Sequence, residues 1–289
     1  MARAYDLLGH GVIAGDERRS NAYFEAIQQA VRPDSVVADI GCGTGVFTLA
    51  ACDAGARRVF AIEPSPILQV AKAIVAANGY SSRVEFIDAL STNATLPERA
   101  DVIVMDVHGV LPDEHIAVAI DARERLLAPG GVFIPAVDAI WAAPVEAPEA
   151  YERHAAAARD EDGIDLGAAQ AWVLRQSSRW RVRADQLIAP PRLCATLTYS
   201  TVEDAAIAAR LDWTASRRAV AHGIVAWFES VLYQHVTLSN RPGDPETFYA
   251  QRFFPLPRPV TVAAGQRLHA DLHGESRGDG YEWRCILDA

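Results

Sequence analysis

An aspartate, three glycines and a glutamate at set intervals carry the chemistry most legible in this chain. Asp39 lies inside the apolar run Val36-Val37-Ala38-Asp39-Ile40, which leads into Gly41-Cys42-Gly43-Thr44-Gly45. Glu63 stands eighteen residues after Gly45, at the end of a second apolar run, Arg58 to Ile62. Glycines at these positions let the chain turn sharply and bring backbone N–H groups close to a ligand. A helix expected from about Val46 to Ala54 turns its positive end to the same spot. A carboxylate closing the second strand can accept both ribose hydroxyls of an adenosine. The unit reads as a nucleotide-cofactor site.

Two details separate the cofactors that such a unit can hold. The turn Gly-Cys-Gly-Thr-Gly is compressed relative to the G-x-G-x-x-G of dinucleotide sites. The acidic Asp39 precedes it, where a carboxylate repels a pyrophosphate but attracts an amine. Both fit S-adenosyl-L-methionine, a sulfonium that carries an ammonium group.

The elements that must position these residues follow from pattern. Asp16 to Ala30 reads as a helix with Tyr23, Ile27 and Ala30 on one face. After Glu63 come a helix over Pro66 to Asn78, a strand at Val84 to Ile87 and a strand at Ala100 to Met105. Glu114 to Leu127 reads as an amphipathic helix stopped by Pro129-Gly130-Gly131, ahead of a strand from Val132 to Pro135. Strict alternation of strand and helix implies a parallel sheet covered on both faces, with ligands at the carboxyl ends of its strands. Residues 1–135 are therefore expected to form one domain of Rossmann-like α/β type.

Beyond Pro135 the rhythm changes. Strand-like stretches at Ala139 to Ala143, Leu193 to Tyr199, Gly223 to Val236 and Arg267 to Leu272 alternate with Pro- and Gly-rich turns. Residues 136–289 are expected to form an antiparallel barrel or sandwich. Within it, about 150–187 has helical spacing and places Trp172 and Trp180 on one face, as a projecting helical arm or as part of the parent core.

Composition narrows the function classes. Half of the 289 residues are hydrophobic and 22% are charged, which describes a soluble globular chain with an ample core. No apolar run approaches the roughly 20 residues of a membrane span, and the N-terminus lacks a signal-peptide layout. A cytoplasmic location is expected. The four cysteines, Cys42, Cys52, Cys194 and Cys285, form no C-x-x-C pair, so neither a metal site nor a disulfide framework is expected. A net charge of −10 disfavours nucleic-acid partners.

The chain resembles the protein arginine methyltransferases along almost its full length. The resemblance rests on His10-Gly11-Val12-Ile13-Ala14-Gly15-Asp16-Glu17-Arg18-Arg19, with Tyr23 beyond it, and on the turn from Asp39 to Gly45. It extends through Ala54-Gly55-Ala56, Leu127-Ala128-Pro129-Gly130-Gly131, His222-Gly223-Ile224-Val225-Ala226-Trp227-Phe228 and the stretch from Leu238 to Phe254. It implies a Rossmann-like methyltransferase domain, a β-barrel with an inserted helical arm, and a homodimer made through that arm. It also implies that Arg19 binds the methionine carboxylate of S-adenosyl-L-methionine, with His10 nearby. Asp39 and the Gly41, Gly43 and Gly45 backbone would hold the amino-acid part, Glu63 the ribose, and Ser91 with Thr92 the adenine edge.

The family pairs a substrate guanidinium with two glutamates on one loop. In this chain Asp106 falls at the first acid and Glu114 at the second, with Gly109 between them. The first acid is shorter by one methylene and the spacing is one residue tighter. His108 can serve as a proton acceptor, or stand uninvolved, and Asp113 is the alternative to Glu114. The family's Thr-His-Trp loop reads Thr247-Phe248-Tyr249, without its histidine. Because only nine residues precede His10, the helix that closes over the family's substrate is expected to be truncated and access more open. The expected activity is methyl transfer to a guanidino nitrogen of arginine, an arginine-derived small molecule or a peptidyl arginine. The alternatives are an N- or O-methyltransferase with another acceptor, and a non-catalytic cofactor-binding partner subunit.

Overall fold

The computed structural model describes residues 7–106, 114–156, 169, 173, 176–204, 206–277 and 280–288, without the side chains of Leu7, Leu8, His10, Glu114 and residues beyond 274. Five strands, β1 (Val36–Ile40), β2 (Arg58–Ile62), β3 (Val84–Ile87), β4 (Ala100–Met105) and β5 (Leu127–Ile134), form a parallel sheet in the order β3-β2-β1-β4-β5. All five residues of β1 are buried, as a central strand covered on both faces requires. The helices are α1 (Leu7–Ala14), α2 (Glu17–Ala30), α3 (Val46–Asp53), α4 (Leu68–Ala77) and α5 (Glu114–Arg125). Asp16 caps α2 by accepting from the Arg19 backbone N–H at 3.0 Å.

At Pro135, after a cis Ile134–Pro135 bond, the chain leaves the parallel sheet and enters an antiparallel β region. Its elements are β6 (Val137–Val145), α6 (Pro148–Ala156), β7 (Ser178–Trp180), β8 (Arg192–Thr198), β9 (Ile207–Thr214), β10 (Ala219–Tyr233), β11 (Val236–Ser239), β12 (Gln251–Val262), β13 (Arg267–Arg277) and β14 (Gly280–Asp288). One sheet runs β7-β12-β10-β6-β8, with β11 on β10, and a second runs β14-β13-β9.

The outcome corrects three expectations. The helix expected from Pro66 begins at Leu68, after two residues of turn. Pro129-Gly130-Gly131 does not stop α5, which ends at Arg125, but lies within β5, where the pairing to β4 slips between Ala100 and Val102. Gly130, at φ 77°, supplies the backbone conformation that such a bulge needs. The expected helix over 150–187 is helical at α6, but residues 178–180 form β7, with Trp180 paired to Gln251. Trp172 lies outside the described residues.

The largest hydrophobic cluster among the described residues joins the halves, running from Ile103 through Phe133, Tyr199 and Phe228 to Leu268. Phe133 stacks on Tyr199 at 5.3 Å, and the Tyr199 hydroxyl donates to buried Asp138 at 2.7 Å. The antiparallel region is therefore fixed against the parallel sheet rather than hinged to it. Gly223 of β10 marks a close approach, since a Cβ there would fall inside contact distance of the Phe253 ring and of the Phe254 carbonyl oxygen. Gly223→Ala is expected to destabilise the fold by about 3 kcal/mol, because the carbonyl is backbone and cannot yield. Urea denaturation with an unchanged m-value checks this, and an unchanged midpoint would refute it.

Candidate functional site

Ile40 is partnered by Ile62 on one side and Met105 on the other, so the three central strands end level. Gly41, Glu63 and Asp106 consequently leave the sheet side by side at its carboxyl edge. This edge lies where the strand order reverses about β1, the position at which open α/β sheets bind ligands.

The turn is anchored by Gly41 and Cys42, whose N–H groups both donate to the Ile62 carbonyl at 2.9 and 3.1 Å. Gly45, at φ 81°, begins α3, and a Cβ there would stand 3.2 Å from the Ala71 Cβ of α4. Glycine is needed there for helix packing as well as for backbone conformation. Glu63 is buried, and its carboxylate accepts from Gly43 N–H at 3.2 Å and from Ser65 N–H at 3.0 Å.

Asp39 is 1% exposed, and its carboxylate accepts from the Thr48 hydroxyl at 2.6 Å. Burial pushes its pKa up to about 7, with the Thr48 bond opposing and the Asp106 charge reinforcing the rise. Among the described residues no cation forms an ion pair with it. A buried carboxylate of this kind suits an ammonium group brought by a ligand. Donors and acceptors at this edge thus fit an amino acid joined to a nucleoside.

Arg19 and Asp106, which sequence reasoning gave to cofactor and acceptor separately, meet as a buried ion pair. Arg19 bonds the Asp106 Oδ2 through Nε and Nη2, and the side chains are only 9% and 5% exposed. The Arg19 Nη1 donates to the Ile13 carbonyl at 3.2 Å, and its guanidinium lies over the Phe47 ring at 4.7 Å. Burial works against the Arg19 charge, but Asp106, Tyr249 and Tyr23 together outweigh it and raise the pKa above the ordinary value. The other Asp106 oxygen, Oδ1, accepts from the Tyr249 hydroxyl at 2.5 Å.

Other expected residues are placed less fully. Ser91 is buried at the start of a short 3-10 turn, and its carbonyl accepts from Arg125 at 2.7 Å, whereas Thr92 is exposed. His10 lies in α1 and Glu114 opens α5, with both side chains outside the described residues. His108, Gly109 and Asp113 fall in 107–113, also outside them. Sequence reasoning missed the contacts of Thr48, Asp16 and Tyr249. Only the change from Thr-His-Trp to Thr247-Phe248-Tyr249 signalled the last of these.

Comparison with known proteins bears on this geometry. Residues 37–131 match the family described as "Methyltransferase domain", and residues 141–287 match "PRMT5 oligomerisation domain". The chain belongs to the protein arginine methyltransferase family. Its N-terminal half is accordingly a class I S-adenosyl-L-methionine-dependent methyltransferase domain, followed by the antiparallel β domain of that family. Among family members, "Probable protein arginine N-methyltransferase 6" of Arabidopsis thaliana is 30% identical over 76% of this chain and 53% of its own length. "Arginine N(omega)-methyltransferase" of Streptomyces achromogenes subsp. streptozoticus is 29% identical over 90% of this chain and 74% of its own. "Protein arginine N-methyltransferase 1" of Schizosaccharomyces pombe is 28% identical over 91% and 80%. The chain spans about half the length of the Arabidopsis and rice relatives it matches. In fold it is similar to the Trypanosoma brucei PRMT1 enzyme–prozyme heterotetrameric complex with AdoHcy, with TM-score 0.84, 20% identity and coverage of 97% and 98%. It is likewise similar to Arabidopsis thaliana protein arginine methyltransferase 10, with TM-score 0.83, 22% identity and coverage of 98% and 93%.

Proposed function

We propose that this chain methylates a guanidino nitrogen of free arginine, an arginine-derived small molecule or a peptidyl arginine, using S-adenosyl-L-methionine. The observation that carries the reading is the buried Asp106 carboxylate, level with Glu63 and the glycine turn and held against Arg19. The name of the Streptomyces relative, which is matched along most of both chains, favours an arginine-like acceptor. Residues 1–135 would be the cofactor domain and 136–289 a substrate and assembly domain, forming a homodimer through the segment around 150–187.

The cofactor, when bound, supplies a sulfonium methyl group. Asp39 would hold its ammonium, Arg19 its carboxylate, and Glu63 its ribose hydroxyls. His10 would stand beside them, and the buried Ser91 with the exposed Thr92 would border the adenine. Arg19 keeps donors beyond those spent on Asp106, since a guanidinium has five N–H groups. Asp106 and Glu114 would each accept N–H bonds from a guanidinium, drawing positive charge toward their own edges and leaving the attacking nitrogen richer in electrons. His108 would be the group nearest in sequence to take the proton released on transfer.

The test supplies methyl-labelled cofactor with free arginine, an arginyl peptide, agmatine or cell extract as the source of acceptor. Label on a guanidino nitrogen upholds the reading. Label only on other acceptors would move the activity to a different N- or O-methyl transfer. Cofactor binding without transfer would mark a partner subunit, a role that the word prozyme in the Trypanosoma complex makes worth separating.

A further inference from the structure

We infer that Tyr249 is a positioning residue that holds Asp106 in the attitude a longer acid would otherwise reach unaided. The inference deepens the functional reading above, because it rests on Asp106 being an acid that faces the acceptor.

The argument begins with side-chain length. Asp106, directly after β4, has one methylene fewer than a glutamate would have, and its carboxylate is oriented by partners. Arg19 takes Oδ2 through two nitrogens, and the Tyr249 side chain is hydrogen-bonded to Arg19 as well as to Asp106. The Tyr249 hydroxyl takes Oδ1 at 2.5 Å, and contacts to both oxygens fix the plane. A phenol is suited to this task, since it reaches far on only two rotatable bonds. Its ring packs edge-on to Phe228 at 5.3 Å and to Phe248 at 5.7 Å.

The loop that carries Tyr249 is anchored from several directions. Asp16, which caps α2 and so sets Arg19, also accepts from the Phe248 backbone N–H at 2.5 Å. Arg18 donates to the Pro245 carbonyl at 2.5 Å, Arg181 to Thr247 at 2.6 Å and Arg179 to Phe248 at 2.8 Å. The Thr247 hydroxyl accepts from the Tyr249 N–H at 3.2 Å. Asp16 thus couples both partners of Asp106, placing Arg19 through the helix cap and Tyr249 through the loop.

The test compares wild type with Tyr249→Phe, Asp106→Glu and the double variant, using the labelled-methyl assay, calorimetric affinity for S-adenosyl-homocysteine, and infrared difference spectra of the tyrosine C–O stretch. Tyr249→Phe is expected to lower kcat about 10- to 100-fold through misorientation of Asp106, with acceptor KM and product affinity little changed. Asp106→Glu is expected to fall at least as far, because the added methylene drives its carboxylate into the phenol. In the double variant the vacated hydroxyl makes room, and activity should recover roughly tenfold over Asp106→Glu. In the infrared, Asp106→Asn should shift a tyrosine C–O band that Tyr249→Phe removes. A Tyr249→Phe kcat within twofold of wild type, or a double variant equal to the product of the singles, would overturn the inference. Should wild type methylate no guanidino acceptor, the functional reading fails separately. The infrared band then decides, its shift upholding Tyr249 as the residue that orients Asp106 and its absence overturning that role.

Discussion

Asp106→Asn is expected to lower methyl transfer by at least about a thousandfold and to destabilise the free protein at the same time. The two losses have one origin. Asp106 is the chief counter-ion against the burial of Arg19, and with both side chains under 10% exposed, solvent does not screen the pair. An amide of the same shape still accepts a hydrogen bond but leaves the guanidinium charge uncompensated, at a cost of about 3 kcal/mol. For the reaction, the variant loses the negative charge that would draw positive charge away from the attacking nitrogen. Affinity for S-adenosyl-homocysteine should survive, since Arg19 keeps its fork and gains freedom to meet a carboxylate. Initial rates, thermal melting and calorimetry on one preparation check the set. A variant with wild-type turnover would remove Asp106 from the chemistry, and one with wild-type stability would show that Arg19 does not depend on it.

That double role was not legible in the sequence, although much around it was. The apolar reading of Val36 to Ile40 predicts a strand buried on both faces, and β1 is that strand. Asp39 and Glu63 are recognisable because βαβ spacing is local and their places at strand ends follow from period and turn signals. Arg19 and Asp106 are 87 residues apart, and Tyr249 lies a further 143 along. No periodicity relates such positions, and only the packing of the antiparallel region on the parallel sheet brings them together. β12 escaped for a different reason. Its Pro255, Pro257 and Pro259 argue against a paired strand. The structure tolerates them because pairing to β10 slips between Ala221 and Gly223, leaving Pro257 and Pro259 in the unpaired stretch between Pro255 and Val260. Residues 178–180 were absorbed into a helical expectation because a three-residue strand shows too few alternations to compete with a long helical pattern.

Asp39→Asn should move stability and cofactor affinity in opposite directions. The folded protein holds the Asp39 carboxyl at about 7, against an ordinary 3.8, chiefly because burial penalises its charge. For a group whose folded pKa is raised, the stabilising contribution is fully present below the unfolded value and is lost as pH rises through the folded one. Ionised Asp39 therefore weakens the ligand-free fold above pH 7, on the order of a few kcal/mol. An asparagine keeps an acceptor for the Thr48 hydroxyl and never ionises, so the variant should be the more stable protein at pH 8 and indistinguishable from wild type near pH 4. Affinity should go the other way. An ammonium placed beside Asp39 would restore a partner to the buried charge, and losing that pair is expected to weaken S-adenosyl-homocysteine binding by about a hundredfold or more. In wild type the affinity should also fall as pH drops below 7, because the carboxylate must be ionised to pair, while the variant should bind with little pH dependence. Calorimetry between pH 6 and pH 8, with urea denaturation from pH 4 to pH 8, measures both trends. A variant that binds as tightly as wild type at pH 8 would take Asp39 out of the cofactor site. One that binds weakly without gaining stability would show that the carboxylate is solvated more than its burial implies.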